Sequence, residues 1–142
     1  MVDPTFQPKI YKTDGGDTLV VAPGGKVLMP FLLHVDIADL SADAAYHVVS
    51  PWAADIAAIH SVINGAVGTA DVTVTASTGG VNVTNGALTI ATAASAAGDI
   101  DSAAPTALNS VAAGAAIKLT VAGGGAGGSP SGHVVLVMNR TA

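Results

Sequence analysis

Along residues 71–93, "DVTVTASTGGVNVTNGALTIATA", valine, leucine and isoleucine alternate with threonine and asparagine, and no charge follows Asp71. A period of two places apolar side chains on one face of a pleated strand and polar ones on the other, so this stretch predicts strands rather than helix. Gly79-Gly80 and Asn85-Gly86 punctuate it. Asn-Gly between alternating runs is a strong hairpin signal, because both central positions of a type I′ turn need positive φ, and a tight hairpin turn is expected at Asn85-Gly86. The same alternation recurs in "AIKLTVA", 116–122, with Ile117, Leu119 and Val121 on one face and Lys118 and Thr120 on the other. "HVVLVMN", 133–139, is apolar on both faces and predicts a central or covered strand.

Other segments are less regular. In "KVLMPFLLHVDIADL", 26–40, Pro30 bars a central-strand position and predicts a bend, bulge or edge. "AAYHVVSPW", 44–52, reads as a strand ending at Pro51. In "AADIAAIHSVINGAV", 53–67, Ile56, Ile59 and Ile63 fit helical spacing, but the β-branched "IHSVI" leading into Asn64-Gly65 favours a strand. Residues 94–114 read as a long small-residue connection with room for one helical turn around Ala107–Val111, and "GGGAGGSPSG", 123–132, as a flexible loop. Residues 1–25 are broken by Pro4, Pro8, Gly15, Gly16, Pro23, Gly24 and Gly25, and only "DTLVVAP" is strand-like. Eight or nine short strands with turn chemistry between them predict an all-β fold, an antiparallel β-sandwich of jelly-roll type over 26–142, preceded by an extended N-terminal arm, 1–25. A parallel β-helix would need a fixed-period repeat, and none is present.

Composition sharpens this picture. The 142 residues suit one domain with a substantial core. All ten acidic residues are aspartate, 28 residues are alanine, and the good helix formers glutamate and lysine are absent or scarce. A net charge of −5 without any Lys/Arg cluster argues against a nucleic-acid partner. Only 11% of residues are charged, which removes one guard against association. There is no cysteine, hence no disulfide or thiolate metal site. "MVDPTFQPKIYK" lacks the basic and apolar regions of a signal peptide, and no apolar run approaches the ~20 residues of a membrane helix. A soluble chain made in the cytoplasm, without a membrane partner, is expected.

Candidate chemistry is sparse. His34, His47, His60 and His133 fall on different predicted strands, none at a metal-site spacing, and read as structural or exposed; on a threefold axis one histidine per subunit could meet its copies. Asp99 and Asp101 in "GDIDS" resemble a fragment of a calcium loop, but the third ligand and the closing glutamate are missing, so turn capping is expected instead. No serine lies in a Gly-x-Ser-x-Gly elbow, and five aromatics are too few for sugar platforms beside a carboxylate pair. The glycine-rich loop has no lysine and no helix after it, so it is not a phosphate loop. Asn82-Val-Thr84 and Asn139-Arg-Thr141 match a glycosylation sequon that has no meaning without secretion. Neither an enzyme, a cofactor nor a metal is expected.

Two stretches resemble a known family. "IYKTDGGDTLVVAPGGKV", 10–27, is similar to the N-terminal segment of small virion proteins of tailed bacteriophages. The stretch from "IHSVINGAV" to "AAGAAIKLTV", 59–121, with its Ala-Ala-Gly-Asp, Pro-Thr, Asn and Val-Ala-Ala-Gly marks, resembles phage head decoration (cement) and head-fibre proteins. The resemblance implies a β-sandwich that trimerises on the outer surface of the capsid and clamps major capsid protein subunits, after synthesis in the host cytoplasm. The alternative is a head-fibre or tail-associated module that binds a host-surface receptor or carbohydrate. Phe6, Ile10 and Tyr11 in the broken N-terminal arm cannot be buried within it. The arm is either a frayed terminus or, in the decoration reading, an element that orders on capsid or a neighbouring subunit with Phe6 and Tyr11 as anchors and Lys9 and Lys12 facing acidic surface. Gly15 and Gly16 serve as turn residues there.

Overall fold

The computed structural model describes residues 10–12, 15, 18–23, 25, 27–125, 128 and 130–141. Among the described residues there are eleven strands and no helix. The strands pair antiparallel throughout. The chain divides into two units, one running to Met29 and the other spanning Pro30–Thr141.

In the first unit, β1 (Ile10–Lys12) and β2 (Leu19–Val21) form a two-stranded sheet in which Tyr11 faces Val20. The single strand expected in this arm is therefore one half of a hairpin. Gly15 lies in the connection with φ 96, as a turn residue. Phe6, Lys9 and Gly16 lie outside the described residues.

The second unit holds β3 (Phe31–Ile37), β4 (Ala44–Val49), β5 (Ala54–Ile63), β6 (Val72–Thr78), β7 (Val81–Ile90), β8 (Ile100–Ala103), β9 (Ser110–Val111), β10 (Ala116–Gly123) and β11 (Gly132–Arg140). A four-stranded sheet has the order β4-β10-β6-β7; a five-stranded sheet has the order β3-β11-β5-β8, with β9 also on β5. Pro30 stands just ahead of β3, where its missing N–H costs no ladder bond. The stretch 53–67 is a strand, β5, as its β-branched residues favoured. β11 lies between β3 and β5, which explains its apolar residues on both faces.

Alternation sorts each strand into a buried and an outward row. Val35, Ile37, Ile56, Ile59, Leu136 and Met138 from the five-stranded sheet join Val72, Val74, Leu88, Ile90, Ile117 and Leu119 from the four-stranded sheet in a single buried cluster. Fully burying one such side chain stabilises by about 1.5–3 kcal/mol, so this shared cluster is what holds the two sheets to one another.

The turn expected at Asn85-Gly86 is not there. The tight hairpin is made one signal earlier, by Gly79 and Gly80 with φ 57 and 83, between paired Thr78 and Val81. Asn85 does adopt positive φ, at 56, but inside β7, where the register against β6 shifts between Thr75 and Ser77. The pair forms a bulge, and the bulge has a purpose. It lets Thr84 leave β6 and pair with Ala107, with Thr84 N–H donating to Ala107 O at 2.9 Å and Thr106 N–H to Thr84 O at 3.0 Å. Asn85 Nδ2 adds a bond to Thr106 Oγ1 at 3.0 Å. Three residues on, Asn109 bonds the backbone of Ile56 in the other sheet, through Ile56 N–H to Asn109 O at 3.0 Å and Asn109 Nδ2 to Ile56 O at 2.8 Å. The segment 106–111 is thus a seam between the sheets, and the helical turn expected around Ala107–Val111 is replaced by a bridge and β9.

Candidate functional site

Two outward faces are candidates. On the four-stranded sheet, register places Ala45, Thr120, Thr75 and Ala87 in one row and Ala122, Thr73 and Thr89 in the next. Lys118 is the sole charged residue within these four strands, beside His47 on β4. Thr73, Thr75 and Thr120 are half-buried, packed by their own neighbours.

The outward face of the five-stranded sheet is different. One row reads Leu32, Val137, Ala58; the next His34, Val135, His60, Ser102; the next Asp36, His133, Val62, Ile100. Three histidines that the sequence scatters over 100 positions, each on its own strand, therefore share one face. The cause is topological: β11 enters between β3 and β5, so His133 stands opposite Asp36 and diagonal to both His34 and His60.

Two of the imidazoles touch. His34 Nδ1 lies 3.1 Å from His133 Nε2, with ring centroids 5.3 Å apart and planes inclined at 48°. The other nitrogen of His133, Nδ1, contacts Asp36 Oδ1. The carboxylate can only accept, so His133 Nδ1–H donates to it, and in the neutral imidazole Nε2 is left with a lone pair facing His34. Asp36 thereby fixes the tautomer of His133. His60 does not join this chain; with Val62, Ile100, His133 and Val135 it lines a shallow apolar depression beside it.

The remaining sequence candidates lie elsewhere. Asp99 Oδ1 accepts the N–H of Ile100, a local cap. Asp101 stands opposite Ser61 on β5, and its Oδ2 and the Ser61 Oγ are both buried without a hydrogen-bond partner. Burial, reinforced by the charge of Asp99, holds the Asp101 carboxyl above the usual value. Asp71 is shifted the other way, because its carboxylate accepts the Thr92 N–H at 2.7 Å. Among the described residues no three His, Asp, Glu or Cys side chains converge as a metal cage. Tyr11 and Lys12 are both exposed on β1. The sequence did not single out Trp52, which is 45% exposed with the Phe31 ring edge-on at 5.4 Å and the Arg140 guanidinium 5.1 Å from its centre.

Compared with protein-family models, curated proteins and solved structures, the chain shows no match.

Proposed function

We propose that this chain is a structural virion protein, a capsid decoration protein of a tailed bacteriophage that trimerises and binds the major capsid protein. In this reading the two sheets of Pro30–Thr141 form a jelly-roll-like β-sandwich, a reading supported by the single buried cluster they share. The observation that carries the functional reading is the neutral outward face of the four-stranded sheet. Covering rows of threonine and alanine desolvates one ammonium group, that of Lys118, whereas each unpaired charge buried in an interface costs several kcal/mol. A solvent-facing sheet gains nothing from lacking charge; a covered one does. The motifs within 10–27 and 59–121 that resemble those of phage virion proteins are what suggest this reading in the sequence.

The arm is the capsid-binding element. Tyr11, Leu19 and Val21 are exposed on its hairpin, together with Lys12, so it carries apolar anchors beside a cation. Light scattering on the purified protein tests the oligomer: a trimer is expected, and Thr75→Lys combined with Thr89→Lys dissociates it while circular dichroism stays unchanged. A monomer mass independent of concentration defeats the oligomer. Deleting residues 1–16 tests the arm: the truncated protein keeps its melting temperature but no longer binds undecorated heads. Unchanged head binding moves the contact to the loops of the larger unit.

One observation favours a host-surface module instead, the exposed Trp52 with Arg140 over its ring. An aromatic face of this kind can stack on a sugar ring. Loss of binding to host cells in Trp52→Ala, with head binding intact, selects that reading.

A further inference from the structure

We propose that His34 and His133 form a binding site for a divalent late first-row transition-metal ion of the copper, nickel or zinc type, with Asp36 as the positioning residue behind His133. The site is independent of the virion reading, because it rests on the other sheet and on its own geometry.

The nitrogen separation suits two adjacent ligands on one ion, once each ring turns its lone pair about 41° off the N···N line toward it. Metal–imidazole bonds are about 2.0–2.1 Å long. Two nitrogens 3.1 Å apart then subtend an angle of about 98° at a shared ion, between the right angle of square-planar or octahedral coordination and the wider tetrahedral one. The approach of the rings does not oppose this, since their planes cross at 48° instead of stacking.

Protonation states also suit the ion. His133 keeps its proton on Nδ1, given to Asp36, and offers the Nε2 lone pair. With both imidazoles neutral, His34 needs only to carry its proton on Nε2 for both to bind as ligands without losing a proton. A carboxylate on the far nitrogen of a ligating histidine orients the ring and raises its basicity, the arrangement common to histidine metal sites. Asp36 stands directly opposite His133 in the β3–β11 register, and β11 is paired on both sides, so the two ligand-bearing strands are fixed before the ion arrives.

Access is open. The His133 side chain is 36% exposed and that of Asp36 is 88% exposed, while His34 is exposed as well. With two protein ligands, the remaining positions fall to water. Nitrogen donors without an oxygen cage do not suit magnesium or calcium.

Titration calorimetry of the full chain with Cu²⁺, Zn²⁺ and Mg²⁺, paired with imidazole NMR, tests the site. One Cu²⁺ or Zn²⁺ per chain is expected, copper the tighter, with shifts confined to His34 and His133 and no response to Mg²⁺. His34→Ala and His133→Ala each weaken binding more than about tenfold, and Asp36→Asn weakens it by about tenfold with both ligands retained. His47→Ala, on the opposite sheet, leaves binding unchanged. His34, Asp36 and His47 are exposed and His133 is half-buried, and circular dichroism checks that each variant is folded. No saturable binding at millimolar Cu²⁺ or Zn²⁺ overturns the proposal. Binding that survives both His34→Ala and His133→Ala, or that is lost equally in His47→Ala, overturns it too.

Discussion

Gly86→Ala isolates the bulge of β7 as a determinant of stability. Gly86 itself is outside the left-handed region, so alanine meets no backbone penalty there. The obstacle is steric: an added Cβ would lie 2.6 Å from Val83 Cβ, 2.8 Å from its Cγ1 and 3.0 Å from its carbonyl oxygen. Rotating the valine relieves the second contact but not the first, because a Cβ is fixed to the backbone. The bulge must therefore open, pulling on Thr84 and its two bonds to the seam, at 2.9 and 3.0 Å. Overpacking of this kind costs about 1–3 kcal/mol, and each weakened hydrogen bond about 1 kcal/mol more. Stiffening of the unfolded chain by alanine offsets about 0.4–1 kcal/mol. A net loss of about 2–4.5 kcal/mol follows, roughly 6–18 °C in melting temperature for a domain of this size. Guanidinium unfolding followed by circular dichroism measures it. The diagnostic control is Val83→Gly, which removes the clashing Cβ: in that background Gly86→Ala should cost less than half as much. A change below about 0.5 kcal/mol in the wild-type background, or full additivity with Val83→Gly, refutes the steric account.

Leu136→Ala, at the fully buried centre of β11, should cost about 2–5 kcal/mol by denaturant midpoint, and less than about 1 kcal/mol would mean that the two sheets do not share a core there. Asp101 has a raised carboxyl, so its contribution is fully present below its ordinary value of 3.8 and is lost as pH rises through the raised folded value. Asp101→Asn should therefore raise the melting temperature at pH 7 and give no gain near pH 3, and a gain that grows on acidification contradicts this. Asp71 has the opposite sign: its lowered carboxyl stabilises above 3.8 and that contribution fades as pH falls. Asp71→Ala should lower the melting temperature at pH 7, with the difference from wild type shrinking in acid, because Thr92 N–H loses its acceptor.

The sequence carried the strands whose two faces differ or match clearly. β6 and β10 are legible from alternation, and the central place of β11 from its doubly apolar pattern. β8 and β9 were not legible, because Ile100 faces outward and the flanking residues are alanine, serine and aspartate with no apolar period. Asn85-Gly86 misled for a physical reason. A type I′ turn and a bulge both place Asn in the left-handed region, and the choice was made by a partner 21 residues away, Thr106. The histidine face has the same origin. Spacing along the chain reveals ligands on one helix or one hairpin, whereas His34 and His133 meet only through the pairing of β3 with β11. The one local hint was that His34 and Asp36 share a strand parity.

Because β11 separates β3 from β5, neither of those strands can complete its ladder until residues 132–140 have been synthesised. During translation at roughly 5–20 residues per second, β3 therefore waits several seconds with an unpaired edge, a window in which strands from separate nascent chains can mispair. The closing step joins strands about a hundred positions apart, so it belongs to the slow, non-local class of folding reactions, on the order of milliseconds to seconds. A ribosome-stalled chain ending before Gly132 should remain open to proteases, and addition of the final nine-residue strand should convert it to a resistant form in one step.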